Sequence, residues 1–346
     1  ERCGNLIIER RRPAPPSDEH RGGDRGQTHT PIIDACLLSA RRHSIPVEIF
    51  ENEDLARRFP QFEFHPRHVG LYEPGAGFVR PEEAVTAAVK DARRHGAELR
   101  EGVRVLSIKE RRMKSDGNDA EGGCLVIIRT VSEDGMEEEV MARKVIVAGG
   151  PWAGQLIPAW QPHLKVTRQV MAWIDVDAER GVRESDSPSL CSHHPDAMPT
   201  WIRAPEPGDD LPPLYGFPTD PLSKQPGKIK IALHGRKDLV KDTEDPAHRR
   251  VDVAESDLEE LLSSAAHFLH AINASVGPSV SSSTSGVAHP FVDAKTCLYT
   301  VSSDEHFLLG RPTGFRHTYG AAGLSGHGFK MVPALGKALA DLALDG

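Results

Sequence analysis

The sequence predicts an α/β fold in two interleaved parts, one a layer of helices with strands and the other a domain of mainly antiparallel sheet. Three observations carry this. PIIDACLLSARRH (31–43) and PEEAVTAAVKDARRHGA (81–97) space their apolar residues at helical period. KVIVA (144–148) is a continuous apolar run that enters Gly149-Gly150, as a buried strand feeding a ligand-binding turn does. Residues from about 160 to 290 are rich in proline and read as strands connected by proline turns.

The 346 residues suggest two domains or one large α/β unit, at roughly 150 residues per domain. With 38% apolar and 27% charged residues the chain can build a real core. A formal charge of −8 and only 5% aromatics argue against nucleic-acid binding, which needs a basic face. No apolar run reaches the eighteen or so residues of a membrane span, and no signal-peptide stretch is visible, so a soluble protein is expected. Five cysteines without a C-x-x-C pair suit neither a disulfide framework nor a zinc ribbon, and point to a reducing compartment.

In chain order, residues 1–31 mix proline, glycine and charge and read as an irregular arm. Helices are expected from Ile32 and from Pro81, the second with proline in its first turn and glycine after its last periodic residue. GVRVLSIKE and CLVIIRTVS, separated by SDGNDAEGG, predict two strands and a turn. DVAESDLEELLSSAAHFLHAI is a helix interrupting the proline-rich region, and SVGPSVSSSTSG (275–286) a surface loop. CLYTVSS and HTYGAAG read as strand-like, with DEHFLLG and a turn, RPTGFR, between them. A glycine-rich SGHGFK then enters the helix VPALGKALADLALDG, whose apolar face is Leu335, Leu339 and Leu342.

Several residues could carry chemistry. Gly323 to Lys330 sets glycines around His327 and ends in a cation, leaving room for a flat ligand or, equally, forming a plain glycine turn with a solvated lysine. Cys297 on a strand reads by composition as a small buried hydrophobe. Strand alternation puts Lys230, Ala232 and His234 on one face, either at a cavity or at a solvent-facing sheet edge, where lysine is favoured; the residues alone favour the edge. Tyr215 opens a proline turn, and His193, His194 and His317 have no metal-ligand spacing.

Jointly, ARRFPQF (56–62), GLYEPGAGFVRPEEAV (70–85), VIVAGGPWAGQL (145–156), YGFP (215–218), KIALHG (230–235), CLYTVSSDEHFLLG (297–310) and GLSGHGFK (323–330) resemble, in order, the monomeric sarcosine oxidase and N-methyl-L-tryptophan oxidase family of FAD-dependent amine oxidases. The resemblance implies an incomplete FAD-binding Rossmann-like layer with a mainly antiparallel substrate-binding sheet domain. It places the partial FAD-binding domain at 32–156 and 297–346, and the substrate domain at 157–296. Cys297 matches the cysteine that carries FAD by a thioether, and Lys330 the lysine that helps hold the substrate carboxylate. Gly326, His327 and Gly328 match positions against the flavin ring, and Lys230 the lysine of oxygen activation. His234 and Tyr215 match substrate-side groups. Val105, Ala148, Gly149 and Trp152 match places near the cofactor's nucleotide end.

The implied reaction oxidises the C–N bond of a secondary amino acid, such as sarcosine or N-methyltryptophan, and reduces O2 to hydrogen peroxide. A monomer with no nucleic-acid or membrane partner is expected, and without a Ser-Lys-Leu end the expected compartment is the cytoplasm, with the peroxisome as the alternative should such a signal follow the given sequence. G-x-G-x-x-G, with which the family opens, is absent from the sequence, so the chain is expected to begin inside the family's pattern. The alternative expectation is a flavoprotein-like domain that does not hold FAD and serves as an interaction module.

Overall fold

The computed structural model describes all residues except 14–27, 113–123, 177–192, 207, 209–210, 225, 236–251, 271, 273–289 and 346. The chain begins with β1 (Asn5–Arg10), β2 (Arg12–Pro13), β3 (Thr28–His29), α1 (Pro31–His43), β4 (Glu48–Glu51), α2 (Asn52–Arg58), β5 (His68–Glu73) and α3 (Pro81–Arg94). Then come β6 (Val103–Arg112), β7 (Cys124–Ser132), β8 (Glu137–Ala142), β9 (Val145–Val147), α4 (Ala153–Leu156), β10 (Leu164–Asp175), β11 (Thr200–Arg203), β12 (Leu214–Phe217) and β13 (Lys228–Leu233). It closes with α5 (Glu255–Ala265), β14 (Phe291–Ser302), β15 (Leu308–Gly310), β16 (Thr318–Ala322) and α6 (Val332–Asp345). Two compact units result. The first comprises Glu1–Arg80, Val170–His234 and Asp252–Thr296, the second chiefly Pro81–Gln169 and Cys297–Gly346.

The first unit is organised on a sheet in the order β14-β10-β13-β12-β11-β1-β5-β4, whose pairings from β10 to β4 are antiparallel except where β1 runs parallel to β11. Strand alternation gives the sheet two faces. One face presents Leu6, Ile8, Trp201, Leu214, Ile229, Ile231 and Leu233 to a core closed by Leu55 and Phe59 of α2 and Leu258 and Leu261 of α5. Phe62 and Phe268 stack at 5.1 Å in that core, with Trp201 edge-on to Phe62 at 5.4 Å. On the other face α1 covers only the β1–β5 end, through Ile33, Val69 and Leu71.

The irregular arm expected over residues 1–31 is corrected here: Asn5–Arg10 is a strand inside the sheet, with Leu6 and Ile8 fully buried. Six residues of alternating NLIIER are overshadowed, in a composition reading, by the proline and charge that follow. The expected layer beginning at residue 32 also differs from the observed division, which keeps residues 32–80 with the large sheet.

The second unit holds the meander β6-β7-β8 and the three-stranded sheet β15-β16-β9. Its core joins Val126, Val147, Ile157, Trp160 and Ala322. The strands read from GVRVLSIKE and CLVIIRTVS pair as an antiparallel ladder from Val103↔Ser132 to Arg112↔Cys124, with a bulge between Val105 and Ser107. The turn between them and the loop 275–286 lie outside the described residues. Glu110 ties β6 to the β15–β16 loop, accepting hydrogen bonds from the backbone N–H of Arg316 (2.8 Å) and His317 (2.7 Å) and from the Thr318 hydroxyl (3.0 Å). Two details depart from expectation. Ile146 is 45% exposed, because alternation points it to the face opposite the core that takes Val145 and Val147, and Leu342 is 41% exposed while Ala343 takes the buried position beside Leu339.

Candidate functional site

In the second unit, β9 and β16 run parallel, with Thr318 opposite Val145 and Gly320 opposite Val147. A Cβ on Gly320 would lie 2.5 Å from the Val147 carbonyl oxygen, so glycine permits this close pairing. Because the strands are parallel, their carboxyl ends meet at one end of the sheet. Both run there into glycine turns, Ala148-Gly149-Gly150 after β9 and Gly323 to Gly328 after β16. Crevices at the carboxyl ends of parallel strands are where open α/β sheets take ligands. Ala148 and Gly326 are exposed, Gly149 is half-buried and Trp152 is 37% exposed in the helical turn that follows. Val105 is also 37% exposed, at the bulge of β6.

The second glycine turn is fastened to β14, the strand that carries Cys297. The Ser325 N–H donates to Thr300 O at 3.0 Å, and the Ser325 hydroxyl accepts from Ser302 N–H at 3.3 Å and donates to Gly323 O at 3.0 Å. Ser325 holds a left-handed φ of 48°, the strained conformation that lets one residue make all three contacts. Gly326 follows at φ 76°, and a Cβ there would lie 2.1 Å from Cε2 of the Tyr299 ring. His327 packs its ring 5.0 Å from Phe307 and turns Nδ1 to Ser325 O at 3.1 Å. Gly328 is buried, and Lys330 is exposed in the single helical turn leading into α6. Strand alternation puts Cys297 and Tyr299 on one side of β14, both half-buried. Composition alone had made Cys297 a buried hydrophobe; it is a partly accessible thiol.

In the first unit, β13 lies between β10 and β12, so the solvent-facing edge considered for Lys230 is excluded. Lys230 and His234 share the face that α1 leaves uncovered, with Tyr215 and Phe217 of β12. The Lys230 Nζ lies 4.2 Å from the Phe217 ring centroid, and the Tyr215 ring stands edge-on to His234 at 6.2 Å. The His234 N–H donates to Pro213 O at 2.8 Å, fixing its backbone where the strand ends. Sequence reasoning passed over Phe217 and Tyr299. Both lay in the motifs quoted, two residues from a chosen residue, where strand alternation puts them on the same face.

Elsewhere in the first unit, Glu206 contacts His68 at 2.8 Å and Arg10 at 3.3 Å. Burial pushes the Glu206 carboxyl up, but hydrogen bonds from His68 and Arg10 and the nearby Arg203 outweigh it and hold the group down at about 2. Among the described residues no group of three side chains could hold a metal ion, and no helix is long and apolar enough to cross a membrane.

This layout, parallel strands ending in glycine turns and a separate antiparallel sheet, is that of a flavoprotein oxidase fold. A family model described as FAD dependent oxidoreductase matches residues 20–342, and the chain belongs to that family. Monomeric sarcosine oxidase of Streptomyces avermitilis is 30% identical over 334 residues, covering 93% of this chain and 71% of that protein. Human peroxisomal sarcosine oxidase is 25% identical over 313 residues, so that the chain spans 65% of its length. N-methyl-L-tryptophan oxidase of Salmonella arizonae is 26% identical over 320 residues, 92% of this chain and 71% of that protein. Of solved structures, NikD, an amino acid oxidase essential for nikkomycin biosynthesis, superimposes with a TM-score of 0.63 at 20% identity, over 100% of this chain and 74% of that one. Glycine oxidase from Geobacillus kaustophilus gives 0.63 at 18% identity, over 99% and 71%. These two likenesses establish the fold.

The residues present are compatible with FAD. Gly149 and Gly326 leave backbone accessible at the carboxyl end of the parallel pair, and a thiol stands on the strand to which the second turn is fastened.

Proposed function

We propose that this protein is an FAD-dependent amine oxidase acting on a secondary, N-methyl-type amino acid. The products are an aldehyde, a primary amine and hydrogen peroxide. One observation carries the reading: both parallel strands of the second unit end in glycine turns, and Ser325 fastens one of these to the strand of Cys297. The names of the sarcosine and N-methyltryptophan oxidases that the chain resembles support the substrate class.

Bound FAD would take a hydride equivalent from the carbon beside the nitrogen and pass the electrons to O2, leaving an imine that water hydrolyses. The chain's own groups supply position and charge. Lys330 offers an exposed ammonium for the substrate carboxylate. Lys230 offers a half-buried one to the negative charge that develops as O2 is reduced. Tyr215 and His234 stand together on the open sheet face, where they orient the amino acid. Cys297 holds the cofactor covalently. Burial pushes the Cys3 and Cys36 thiols up, away from the thiolate that is the attacking form.

The test is an anaerobic titration of the purified, FAD-supplied protein with sarcosine, N-methyltryptophan and a cyclic imino acid. Bleaching of the flavin band by at least one of them, reversed by air with release of peroxide, is the expected result. A protein that takes up no flavin, or whose flavin none of the three reduces, would overturn the assignment and leave a binding module in its place.

A further inference from the structure

Lys230 sits directly opposite Phe217 in the antiparallel pairing of β13 with β12. On its other side it faces Trp173 of β10. The two aromatics are not equivalent. The indole of Trp173 lies beneath another cation, Lys295 of β14, at 5.7 Å, whereas the Phe217 ring lies 4.2 Å from the Lys230 Nζ. Phe217 is itself held edge-on by Phe78 at 6.1 Å and by Tyr215 at 6.1 Å. Arg80 caps Phe78 at 5.7 Å and is anchored by a two-pronged bond to Asp220 at 2.6 and 2.8 Å. This sheet face thus carries a row in which a braced ring receives the ammonium.

We propose that Phe217 is a positioning residue that fixes the Lys230 ammonium for the reaction with O2, an inference that rests on the oxygen-side role given to Lys230 above. A lysine stem has four rotatable bonds, so an unguided ammonium spreads over many positions. A ring face within about 6 Å attracts the charged form and restricts where it can be. Phe217 presents such a face at 4.2 Å without offering a proton acceptor. Among the described residues, the charges near this row include Lys228 beside Asp175, His234, Lys295 with Asp293 at 3.9 Å, and Arg80 with Asp220 and with Glu1 at 3.7 Å. All of them are common to every variant below.

The test uses Phe217→Leu, Phe217→Tyr and Lys230→Met. Competitive acylation across a pH series, read by mass spectrometry of the Lys230 peptide, reports on the ammonium without requiring turnover. Access alone changes the extent of labelling but not its pH midpoint. The midpoint is expected to be lower in Phe217→Leu than in the wild type and to stay in place in Phe217→Tyr. In stopped flow, reoxidation of the loaded protein by O2 is expected to slow roughly three- to tenfold in Phe217→Leu, with flavin reduction unchanged. An unmoved midpoint in folded Phe217→Leu overturns the inference, as does unaltered reoxidation in that variant when Lys230→Met is slow. If Lys230→Met itself reoxidises normally, the oxygen-side role falls first and the positioning role with it. Should Phe217→Leu fail to fold, Phe217→Met, which keeps bulk without a ring, is read in the same way.

Discussion

Gly326 lies so close against Tyr299 that a Cβ at residue 326 would stand 2.1 Å from Cε2 of the aromatic ring. The left-handed φ of 76° adds a second reason for glycine. Gly326→Ala is therefore expected to cost about 2 kcal/mol, from overpacking and backbone strain together, and to lower flavin content. Adding Tyr299→Ala should recover part of the stability by removing the ring, leaving the φ penalty. Urea midpoints of the two single variants and the double variant measure this. Simple additivity would refute the contact.

Ser325 fastens the same turn to β14, and its hydroxyl both accepts and donates in a buried position. Ser325→Ala removes both bonds and leaves Ser302 N–H without that acceptor. A loss of about 1–3 kcal/mol is expected, together with faster amide exchange at Ser302. Unchanged protection there would contradict the fastening role.

Glu206 ties the loop after β11 to β1 and β5 through Arg10 and His68. Its carboxyl drops from an ordinary 4.5 to about 2 in the folded protein, so it binds a proton more readily when unfolded. The stability it contributes is present above about pH 4.5 and is lost as the pH falls toward 2. Glu206→Gln is expected to lower stability by about 2 kcal/mol at pH 7, with the gap to wild type closing below pH 4.5. Urea melts at pH 7, 5 and 3 test this. A gap that widens on acidification would contradict it.

Most of the second unit was legible in the sequence. Regular alternation in GVRVLSIKE and CLVIIRTVS gave the ladder of β6 and β7, and glycine after KVIVA gave the turn. Short strands whose burial depends on distant partners were not legible. Asn5–Arg10 is held by β5 and β11, about 60 and 190 residues away in sequence, and nothing local marks it off from the charged stretch beside it. Lys230 shows the same limit. Alternation placed it on a face with His234, but whether its strand was an edge depended on β10 and β12, which pair with it across the sheet. Phe217 was hidden for a related reason: its importance comes from register, not from its own neighbours in sequence.

Lys230→Met should separate the two halves of the catalytic cycle. Removing the ammonium is expected to slow reoxidation by O2 at least tenfold, through lost stabilisation of developing negative charge, while reduction by substrate changes little. Stopped-flow traces of each half measure it, and equal slowing of both would remove the role assigned to this residue.

The most direct measurement is the mass of the proteolytic peptide that contains Cys297, taken after acid precipitation of the FAD-supplied protein. A flavin adduct on the wild-type peptide, absent from Cys297→Ser, is the predicted result. A yellow supernatant with an unmodified Cys297 peptide would contradict the covalent site.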